Sequence, residues 1–203
     1  MMQNDMKIIG ITGGIGSGKS VCLSILEKDF GAYIVQADQV AHLLMEPGED
    51  AFDRIVATFG DVILNDGRID RGKLGAIVMN DEIKLGQLNS IVHPAVKDYI
   101  RQDIEKRRNE GVRIYVLEAA LLIQDGYKQI CDEIWFIHTD KDIRIRRLRE
   151  GRGYSEEKAI SFMNNQPDDD FFMGNCDRVI DNNSDADAMK ILLDHELQRL
   201  FAC

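Results

Sequence analysis

The chain has 203 residues, of which 44% are hydrophobic and 30% charged, proportions that exclude a disordered protein and a membrane-spanning one. This length suffices for one domain with a single well-packed core. Because 35 acidic residues outnumber 25 basic ones, the formal net charge is −10, which argues against nonspecific binding to nucleic acid.

The amino terminus and the cysteines indicate where the protein works. Residues 1–6 contain no basic segment followed by a long apolar one, so we expect no secretory signal. The longest apolar runs, such as residues 119–123, are too short to cross a bilayer. The four cysteines include no C-x-x-C pair, so we expect reduced, structural thiols in a cytoplasmic protein. They are Cys22, Cys131, Cys176 and Cys203.

A complete phosphate-binding sequence follows the first predicted strand, residues 8–11. Its G-x-x-x-x-G-K-S spacing is made by Gly13, Gly14, Ile15, Gly16, Ser17, Gly18, Lys19 and Ser20. Glycines let such a loop turn tightly and point its N–H groups at phosphates, and the helix that follows adds the positive end of its dipole. We expect Lys19 to reach the β- and γ-phosphates and the Ser20 hydroxyl to help hold Mg²⁺. The chain is therefore predicted to bind a nucleoside triphosphate.

A second strand and several helices are predicted next. The strand covers residues 32–36, because this apolar segment follows Gly31, a helix stop. A break at Pro47-Gly48 separates two helices, and Asn65-Asp66-Gly67 indicates a hairpin or tight turn. A long, mostly helical stretch follows, interrupted only by Pro94. The three helical segments cover residues 38–45, 50–59 and 71–109.

The second half of the chain continues the alternation of strands and helices. Strands are predicted at residues 112–117, 133–138 and 178–180. Helices are predicted at residues 141–150, 155–165 and 184–200. On the last helix, one face carries Met189, Leu192, Leu193, Leu197, Leu200 and Phe201 and is expected to cover the sheet. The pattern predicts an α/β fold with a parallel sheet between two helical layers, and ligands at the carboxyl ends of the strands.

Two acids lie beyond predicted strand ends, at the expected mouth of the sheet. Asp38 could accept a proton from an attacking hydroxyl, or it could only cap the next helix. Glu118 follows the strand at residues 112–117, where an acid could support Mg²⁺ or face solvent. The residues alone leave both alternatives open.

Basic charge is concentrated in the predicted helix at residues 141–150 and just beyond it. Six basic residues stand against Asp142 and Glu150: Lys141, Arg144, Arg146, Arg147, Arg149 and Arg152. Such a segment fits a lid that closes over phosphates and neutralises charge, or a solvated helix that packs through Ile143, Ile145 and Leu148.

Two further sites carry residues that could contact a ligand or cap a helix. At His93-Pro94 the imidazole could contact a substrate phosphate or cap a kinked helix. Thr139 and Asp140 are predicted to cap the helix that follows, because their order does not fit a guanine-reading motif.

Several short motifs occur together in one order along nearly the whole chain. They are Thr12-Gly13-Gly14-Ile15-Gly16, Ala37-Asp38, His93-Pro94, Leu121-Leu122, Arg147-Leu148, Ser155-Glu156-Glu157, Gln166 and the run from Asp177 to Asn182. In this order and spacing the sequence resembles the dephospho-coenzyme A kinase family.

The resemblance implies a single-domain, three-layer P-loop nucleotide kinase fold with a helical acceptor-binding insertion and a lid. The core would cover about residues 1–49, 110–139 and 162–203, the acceptor-binding part about 50–109 and the lid about 140–161. The reaction implied is transfer from ATP, with Mg²⁺, to the ribose 3′-hydroxyl of dephospho-coenzyme A, the last step of coenzyme A synthesis. A monomer or weak homo-oligomer is expected.

The resemblance also assigns roles to residues. Catalytic roles fall to Asp38, Lys19 and Arg147. Nucleotide contacts come from Gly13 through Ser20 together with Val21, and substrate contacts from Thr12, Asp38, His93 and Arg152.

Four positions depart from the family pattern. Gln36 and Gln124 stand where the family has acids, and Val21 replaces a common threonine. Gly151 occupies the usual second lid-arginine position, so Arg147 matches directly while Arg149 or Arg152 could substitute. The alternatives to this activity are another small-molecule or nucleoside monophosphate kinase of the same fold and a nucleotide-dependent switch.

Overall fold

A computed structural model describes residues 6–202, and within them seven strands and nine α-helices follow one another. The strands are β1 (Lys7–Thr12), β2 (Tyr33–Gln36), β3 (Leu64–Asn65), β4 (Arg68–Ile69), β5 (Ile114–Glu118), β6 (Glu133–His138) and β7 (Arg178–Asp181). The helices are α1 (Lys19–Phe30), α2 (Ala37–Leu44), α3 (Asp50–Phe59), α4 (Arg71–Val78), α5 (Glu82–Asn109), α6 (Lys141–Arg152), α7 (Glu156–Asn164), α8 (Asp169–Asn175) and α9 (Ala186–Ala202). The chain divides into two compact units, one made of residues up to Val35 and from Arg107 onward, the other of Gln36–Lys106.

In the first unit the strands form one sheet in the order β2-β5-β1-β6-β7. The pairs β5–β1, β1–β6 and β6–β7 are all parallel. Each of these strands is separated from the next in sequence by helix or turn, as parallel pairing requires. The predicted parallel α/β sheet is confirmed.

The register of the sheet places three strand ends side by side. Thr12, the last residue of β1, pairs with Phe136 of β6, and His138, the last residue of β6, pairs with Asp181 of β7. Because the strands are parallel, the segments that follow β1, β6 and β7 all leave the sheet at one edge. The phosphate-binding sequence is one of these segments.

Helices cover both faces of the sheet. On one face Trp135 and Ile137 are buried against α1 and α9, in a cluster that includes Leu26 and Leu193. On the other face the ring of Phe136 stacks on that of Phe172 in α8, with centroids 4.8 Å apart. Neighbouring residues of a strand point to opposite faces, which is why Trp135 and Phe136 belong to different layers. The predicted three-layer fold is confirmed.

The second unit consists of helices and one small hairpin. β3 and β4 pair antiparallel across the turn predicted at Asn65-Asp66-Gly67, in which Asp66 and Gly67 have φ values of 50° and 75°. The side chain of Asp70 caps α4 by accepting hydrogen bonds from the N–H groups of Gly72 and Lys73.

The long helical stretch predicted at residues 71–109 differs from the observed structure. It contains two helices, and the break falls at residues 79–81, not at Pro94, which lies inside α5. Asp81 explains this position, because its carboxylate accepts hydrogen bonds from the N–H groups of Ile83 and Lys84 at 3.1 and 3.0 Å. The prediction that Pro94 interrupts the helix was wrong.

Two smaller differences concern the carboxyl-terminal region. Helix α8 was not predicted, although Asp168 caps it by accepting a hydrogen bond from the N–H of Phe171 at 2.8 Å. On α9 Leu192 is 39% exposed, whereas Met189 and Leu193 are buried, so the predicted apolar face is narrower than expected.

The three described cysteines, Cys22, Cys131 and Cys176, are free thiols. Burial raises the pKa of the Cys22 and Cys131 thiols to about 12 and that of Cys176 to about 11, so all three are protonated at neutral pH. Cys203 lies outside the described residues. Within residues 6–202 no helix combines the length and apolar character needed to cross a membrane.

A polar cluster ties the start of β6 to α9. The carboxylate of Glu133 accepts hydrogen bonds from Arg199 and from the indole N–H of Trp135, and its side chain is only 17% exposed. Burial by itself raises the pKa of Glu133, but these hydrogen bonds and the nearby charges of Arg199 and Arg178 outweigh it and leave the pKa below its usual value. The carboxylate therefore stabilises the folded state in its charged form.

We expect Glu133→Gln to lower the free energy of unfolding by about 1 kcal/mol at pH 7, because a charged acceptor is lost. Since the pKa of Glu133 is lower in the folded state, this contribution is complete above the unfolded pKa and disappears as the pH falls through the folded pKa. Urea unfolding at several pH values measures it. The matched control Glu27→Gln, at an exposed position of α1, is expected to change stability by less than about 0.5 kcal/mol. A difference between Glu133→Gln and the parent that grows towards acid pH would contradict the assignment.

Candidate active site

The phosphate-binding loop, residues 13–18, connects β1 to α1 in the first unit. Gly18 is the N-cap of α1 in a left-handed conformation with φ 88°, and no side chain caps the helix. The first N–H groups of α1 are thus not bonded by a capping side chain, and the positive end of the helix dipole lies at the same place. This is a favourable position for a phosphate group.

Glycine is required at two positions of the loop. Gly13 has φ 149°, and a Cβ atom there would lie 2.7 Å from the carbonyl oxygen of Ile137. Gly18 has a positive φ, and a Cβ atom there would lie 2.1 Å from the side-chain amide nitrogen of Asn182. Both the backbone conformation and the close contacts exclude a larger residue.

Ser17 holds the middle of the loop in place. Its backbone carbonyl accepts hydrogen bonds from the side-chain amide of Asn182 at 2.7 Å and from the hydroxyl of Thr139 at 2.9 Å. Its own hydroxyl is buried and has no hydrogen-bond partner among residues 6–202. A buried polar atom without a partner is costly, and a polyphosphate bound in the loop is the kind of group that supplies one.

Lys19 and Ser20 begin α1, and Val21 follows them. The ammonium group of Lys19 donates a hydrogen bond to the carbonyl of Gly13 at 2.7 Å, so this side chain folds back along the loop. Ser20 and Val21 are exposed. A serine hydroxyl here, together with phosphate oxygens and water, is a suitable set of hard ligands for Mg²⁺.

Thr139 does not have the capping role predicted for it. Asp140 is the N-cap of α6 and makes no side-chain capping hydrogen bond, and the buried hydroxyl of Thr139 lies against the carbonyls of Ser17 and His138 instead. The reason is the parallel register, which brings the ends of β1 and β6 together. The prediction that Thr139 caps α6 was wrong, whereas Asp140 does occupy the N-cap position, without a side-chain capping hydrogen bond.

Arg144 of α6 lies against the loop and was not singled out in the sequence. Its side chain is buried, its Nε donates to the carbonyl of Ile15 at 2.9 Å, and its Nη1 lies 3.6 Å from the carboxylate of Asp169. Desolvation lowers the pKa of Arg144, and the charge of Asp169 acts in the opposite direction. Spacing could have identified it, because Arg144, Arg147 and Leu148 stand at i, i+3 and i+4 on one helix face.

Arg147 also lies beside the loop. Its Nη2 donates to the carbonyls of Asn182 at 2.9 Å and Ser184 at 3.3 Å, and its Nη1 would be 3.4 Å from a Cβ atom on Gly18. The structure thus brings Arg147 and the loop together, as the proposed phosphate contact requires.

Arg149 and Arg152, the two arginines that could substitute at the family's second position, are placed differently. Arg149 pairs with Glu156 at 3.4 Å on the exposed side of the helix. Arg152 is the exposed last residue of α6. It lies five residues beyond Arg147, about 7.5 Å along the helix axis.

The remaining predicted site residues lie in different elements. Thr12 is buried at the end of β1, and Glu118 is half-buried at the end of β5. His93 is half-buried inside α5, in the second unit. Their predicted roles remain predictions.

Asp38 lies in the first turn of α2, also in the second unit, and is exposed. Helix α2 begins at Ala37 with Gln36 as its N-cap, so Asp38 does not cap the helix, and that alternative was wrong. Gln36, which stands where the family has an acid, accepts a hydrogen bond from the side-chain amide of Gln39.

The fold and the loop together define the class of this protein. A parallel sheet between helical layers, with a G-x-x-x-x-G-K-S loop after its first strand and a basic helix against that loop, is a P-loop kinase architecture. A family model described as dephospho-CoA kinase matches residues 7–188. The chain belongs to the dephospho-CoA kinase family, a family of phosphotransferases, and the resemblance seen in the sequence is confirmed.

Individual relatives agree with this assignment. A dephospho-CoA kinase of Oceanobacillus iheyensis is 39% identical over 194 residues, covering 95% of this chain and 96% of the relative. One of Corynebacterium diphtheriae is 39% identical over 198 residues, covering 97% and 98%. A solved structure of a dephospho-CoA kinase from Campylobacter jejuni superposes with a TM-score of 0.70, covering 98% of both chains, and at 22% identity it shows that the fold is shared.

The contact between Gly14 and Arg144 can be tested by adding one methyl group. A Cβ atom on Gly14 would lie 2.1 Å from Nη2 and 2.8 Å from Cζ of Arg144, whose side chain is already held by Ile15 and Asp169. We expect Gly14→Ala to destabilise the protein by about 1 to 3 kcal/mol through overpacking, measured by urea unfolding.

A matched control and a double variant complete this test. Gly86→Ala, in α5, meets nothing within 4 Å and is expected to stabilise the protein slightly. In an Arg144→Ala background the cost of Gly14→Ala is expected to fall by at least half. An equal cost in both backgrounds would show that Arg144 is not the obstacle.

Proposed function

We propose that this protein transfers the γ-phosphoryl group of ATP to the ribose 3′-hydroxyl of dephospho-coenzyme A, giving coenzyme A and ADP. The dephospho-CoA kinase family model matches residues 7–188 of the chain. Within this family assignment one observation carries the proposal, namely that the buried hydroxyl of Ser17 in the phosphate loop has no hydrogen-bond partner among residues 6–202. Both the family and the unfilled hydrogen-bonding capacity of the loop support ATP as the phosphoryl donor.

Phosphoryl transfer needs little covalent chemistry from a protein, so the loop would act by positioning the phosphates and stabilising their charge. The N–H groups at the start of α1 would bind phosphate oxygens, and Lys19 would move from the carbonyl of Gly13 to the β- and γ-phosphates. The Ser20 hydroxyl would hold Mg²⁺. When bound, Mg²⁺ neutralises charge on the polyphosphate.

Arg147 is the basic residue of α6 best suited to act on the transferred group. Its contacts are with the carbonyls of Asn182 and Ser184 and the hydroxyl of Thr139, and no carboxylate pairs with it in the described part of the chain. Arg144, by contrast, has part of its charge offset by Asp169. An uncompensated guanidinium beside the loop would stabilise the negative charge that develops during transfer.

Asp38 would orient the ribose hydroxyl and accept its proton. Its exposed carboxylate in the first turn of α2 is not engaged in capping the helix, which leaves it available for this role. On the family resemblance, Thr12, His93 and Arg152 would contribute substrate contacts, and Val21 would add to the nucleotide contacts. Closure of a lid formed by about residues 140–161 would keep water from competing with the acceptor.

We also propose that the protein works in the cytoplasm as a monomer or weak homo-oligomer without a nucleic-acid partner. Three free thiols, Cys22, Cys131 and Cys176, support a reducing compartment, and the net charge of −10 opposes binding to polyanions.

The acceptor is identified by measuring ADP formation from ATP and Mg²⁺ with a panel of acceptors. We expect turnover with dephospho-coenzyme A to exceed that with AMP, CMP or water alone by at least about 10³, because only a matched hydroxyl is held in line with the γ-phosphate. Mass spectrometry of the product is expected to show coenzyme A. Lys19→Ala is the negative control that shows whether ADP formation depends on this loop. Lys28→Ala, at the other end of α1, is the matched control for removing a lysine from this helix.

Equal turnover with nucleoside monophosphates would assign the protein to a different small-molecule kinase activity. Slow hydrolysis that no acceptor accelerates would instead indicate a nucleotide-dependent switch. Either result would overturn the proposed acceptor.

We expect Asp38→Asn to lower kcat by about 10² to 10⁴ and to leave the Kd for ATP within about twofold, the pattern for losing a general base without losing donor binding. Single-turnover kinetics and nucleotide titration measure the two quantities. Asp187→Asn, an exposed acid in the first turn of α9, is the matched control and is expected to retain full turnover. Full activity of Asp38→Asn would remove this carboxylate from the reaction.

A further inference from the structure

Ile15 stands between Gly14 and Gly16 in the phosphate loop, at a position that we call the crest of the loop. Two different side chains form hydrogen bonds with its backbone N–H and its carbonyl. Its N–H donates to Oε1 of Gln166 at 2.7 Å, and its carbonyl accepts from Nε of Arg144 at 2.9 Å. The N–H belongs to the peptide that joins Gly14 to Ile15, and the carbonyl belongs to the peptide that joins Ile15 to Gly16. Two successive peptide planes are therefore fixed from outside the loop.

The side chains that hold Ile15 come from separate elements. Arg144 is on α6, and Gln166 follows the end of α7. Three residues after Gln166, Asp169 in the first turn of α8 lies 3.6 Å from Nη1 of Arg144 and 3.5 Å from Nε2 of His138. The short segment from Gln166 to Asp169 thus bonds Ile15 directly and also holds the arginine that bonds it from the other side.

Fixing these two peptides has a large effect on this loop because Ile15 stands between glycines. Gly14 and Gly16 permit many backbone conformations, and Gly16 already has a positive φ of 78°. A loop of this kind loses much conformational entropy when its N–H groups must converge on a phosphate. Partners that hold the crest before the nucleotide arrives reduce that loss.

We propose that Gln166 is a positioning residue for nucleotide binding: by accepting the N–H of Ile15, opposite Arg144, it preorganises the crest of the phosphate loop. Gln166 contributes no charge, and the contact through which it would act on ATP binding is its hydrogen bond to the backbone N–H of Ile15. The proposal deepens the proposed function and rests only on the part of it that assigns ATP to the loop.

The test removes the acceptor atom and keeps the length of the side chain. In Gln166→Met the hydrogen exchange of the Ile15 amide, followed by NMR in the absence of nucleotide, is expected to become at least fivefold faster. The Kd for ATP, titrated without any acceptor substrate, is expected to rise about 3- to 10-fold, the effect of one hydrogen bond. At saturating ATP, kcat is expected to stay within twofold.

Two further variants make the result specific. Gln166→Glu keeps an acceptor oxygen at the same distance along the side chain and is expected to restore the slow exchange of the Ile15 amide. Gln129→Met, at an exposed glutamine in the turn before β6, is the matched control and is expected to change neither quantity.

Three outcomes would overturn the proposal. An unchanged Kd for ATP in Gln166→Met would show that the contact does not preorganise the loop. A lower Kd would show that Gln166 competes with the nucleotide for the amide, and unchanged exchange of the Ile15 amide would show that the bond does not protect it. Because binding and exchange are measured without an acceptor, failure of dephospho-coenzyme A as the acceptor would leave these measurements valid.

Discussion

Parallel pairing of β5, β1, β6 and β7 is the constraint on which the site depends. It makes the strands leave the sheet at one edge, so Thr139 after β6 and Asn182 after β7 both reach the carbonyl of Ser17. Those two hydrogen bonds hold the loop at Ser17, next to the start of α1, whose first N–H groups no side chain caps. Large apolar side chains of the sheet, such as Ile9 and Ile11, are fully buried, and burying one such side chain stabilises the fold by about 1.5 to 3 kcal/mol.

The basic helix α6 carries two arginines beside the phosphate loop, Arg144 and Arg147, in different surroundings. Arg144 is buried, bonds the carbonyl of Ile15 and lies near Asp169, so its charge is partly used in holding the loop. Arg147, three residues later, contacts the hydroxyl of Thr139 and the carbonyl of Asn182, and we propose that its charge acts on a phosphate. In the proposed function Arg147 takes the phosphate-clamping role and the exposed Arg152 does not, so the replacement of a family arginine by Gly151 leaves the proposed mechanism intact.

Two of the departures from the family pattern, Gln36 and Val21, fall where the structure tolerates them. Gln36 is the N-cap of α2, and its side-chain oxygen accepts a hydrogen bond from the side-chain amide of Gln39. The glutamine that replaces the family's acid therefore has a local hydrogen-bond partner. Val21 is exposed in the first turn of α1, after Ser20 has already supplied the hydroxyl proposed for Mg²⁺. Neither replacement disturbs the loop, which agrees with assignment of the chain to the family over residues 7–188.

The sequence by itself determined the features that depend on short-range spacing. The loop from Gly13 to Ser20, the alternation of strands with helices and the concentration of arginines in α6 are all local patterns with local causes. The proline pattern predicted an interruption at Pro94, and this was wrong. The helix boundary falls instead beside Asp81, whose carboxylate caps α5. Only the tertiary structure showed that Thr139, Asn182, Arg144 and Gln166 hold the loop. Their partners lie 122 to 165 residues away in sequence, and strand register and helix packing, which no local spacing encodes, bring them together.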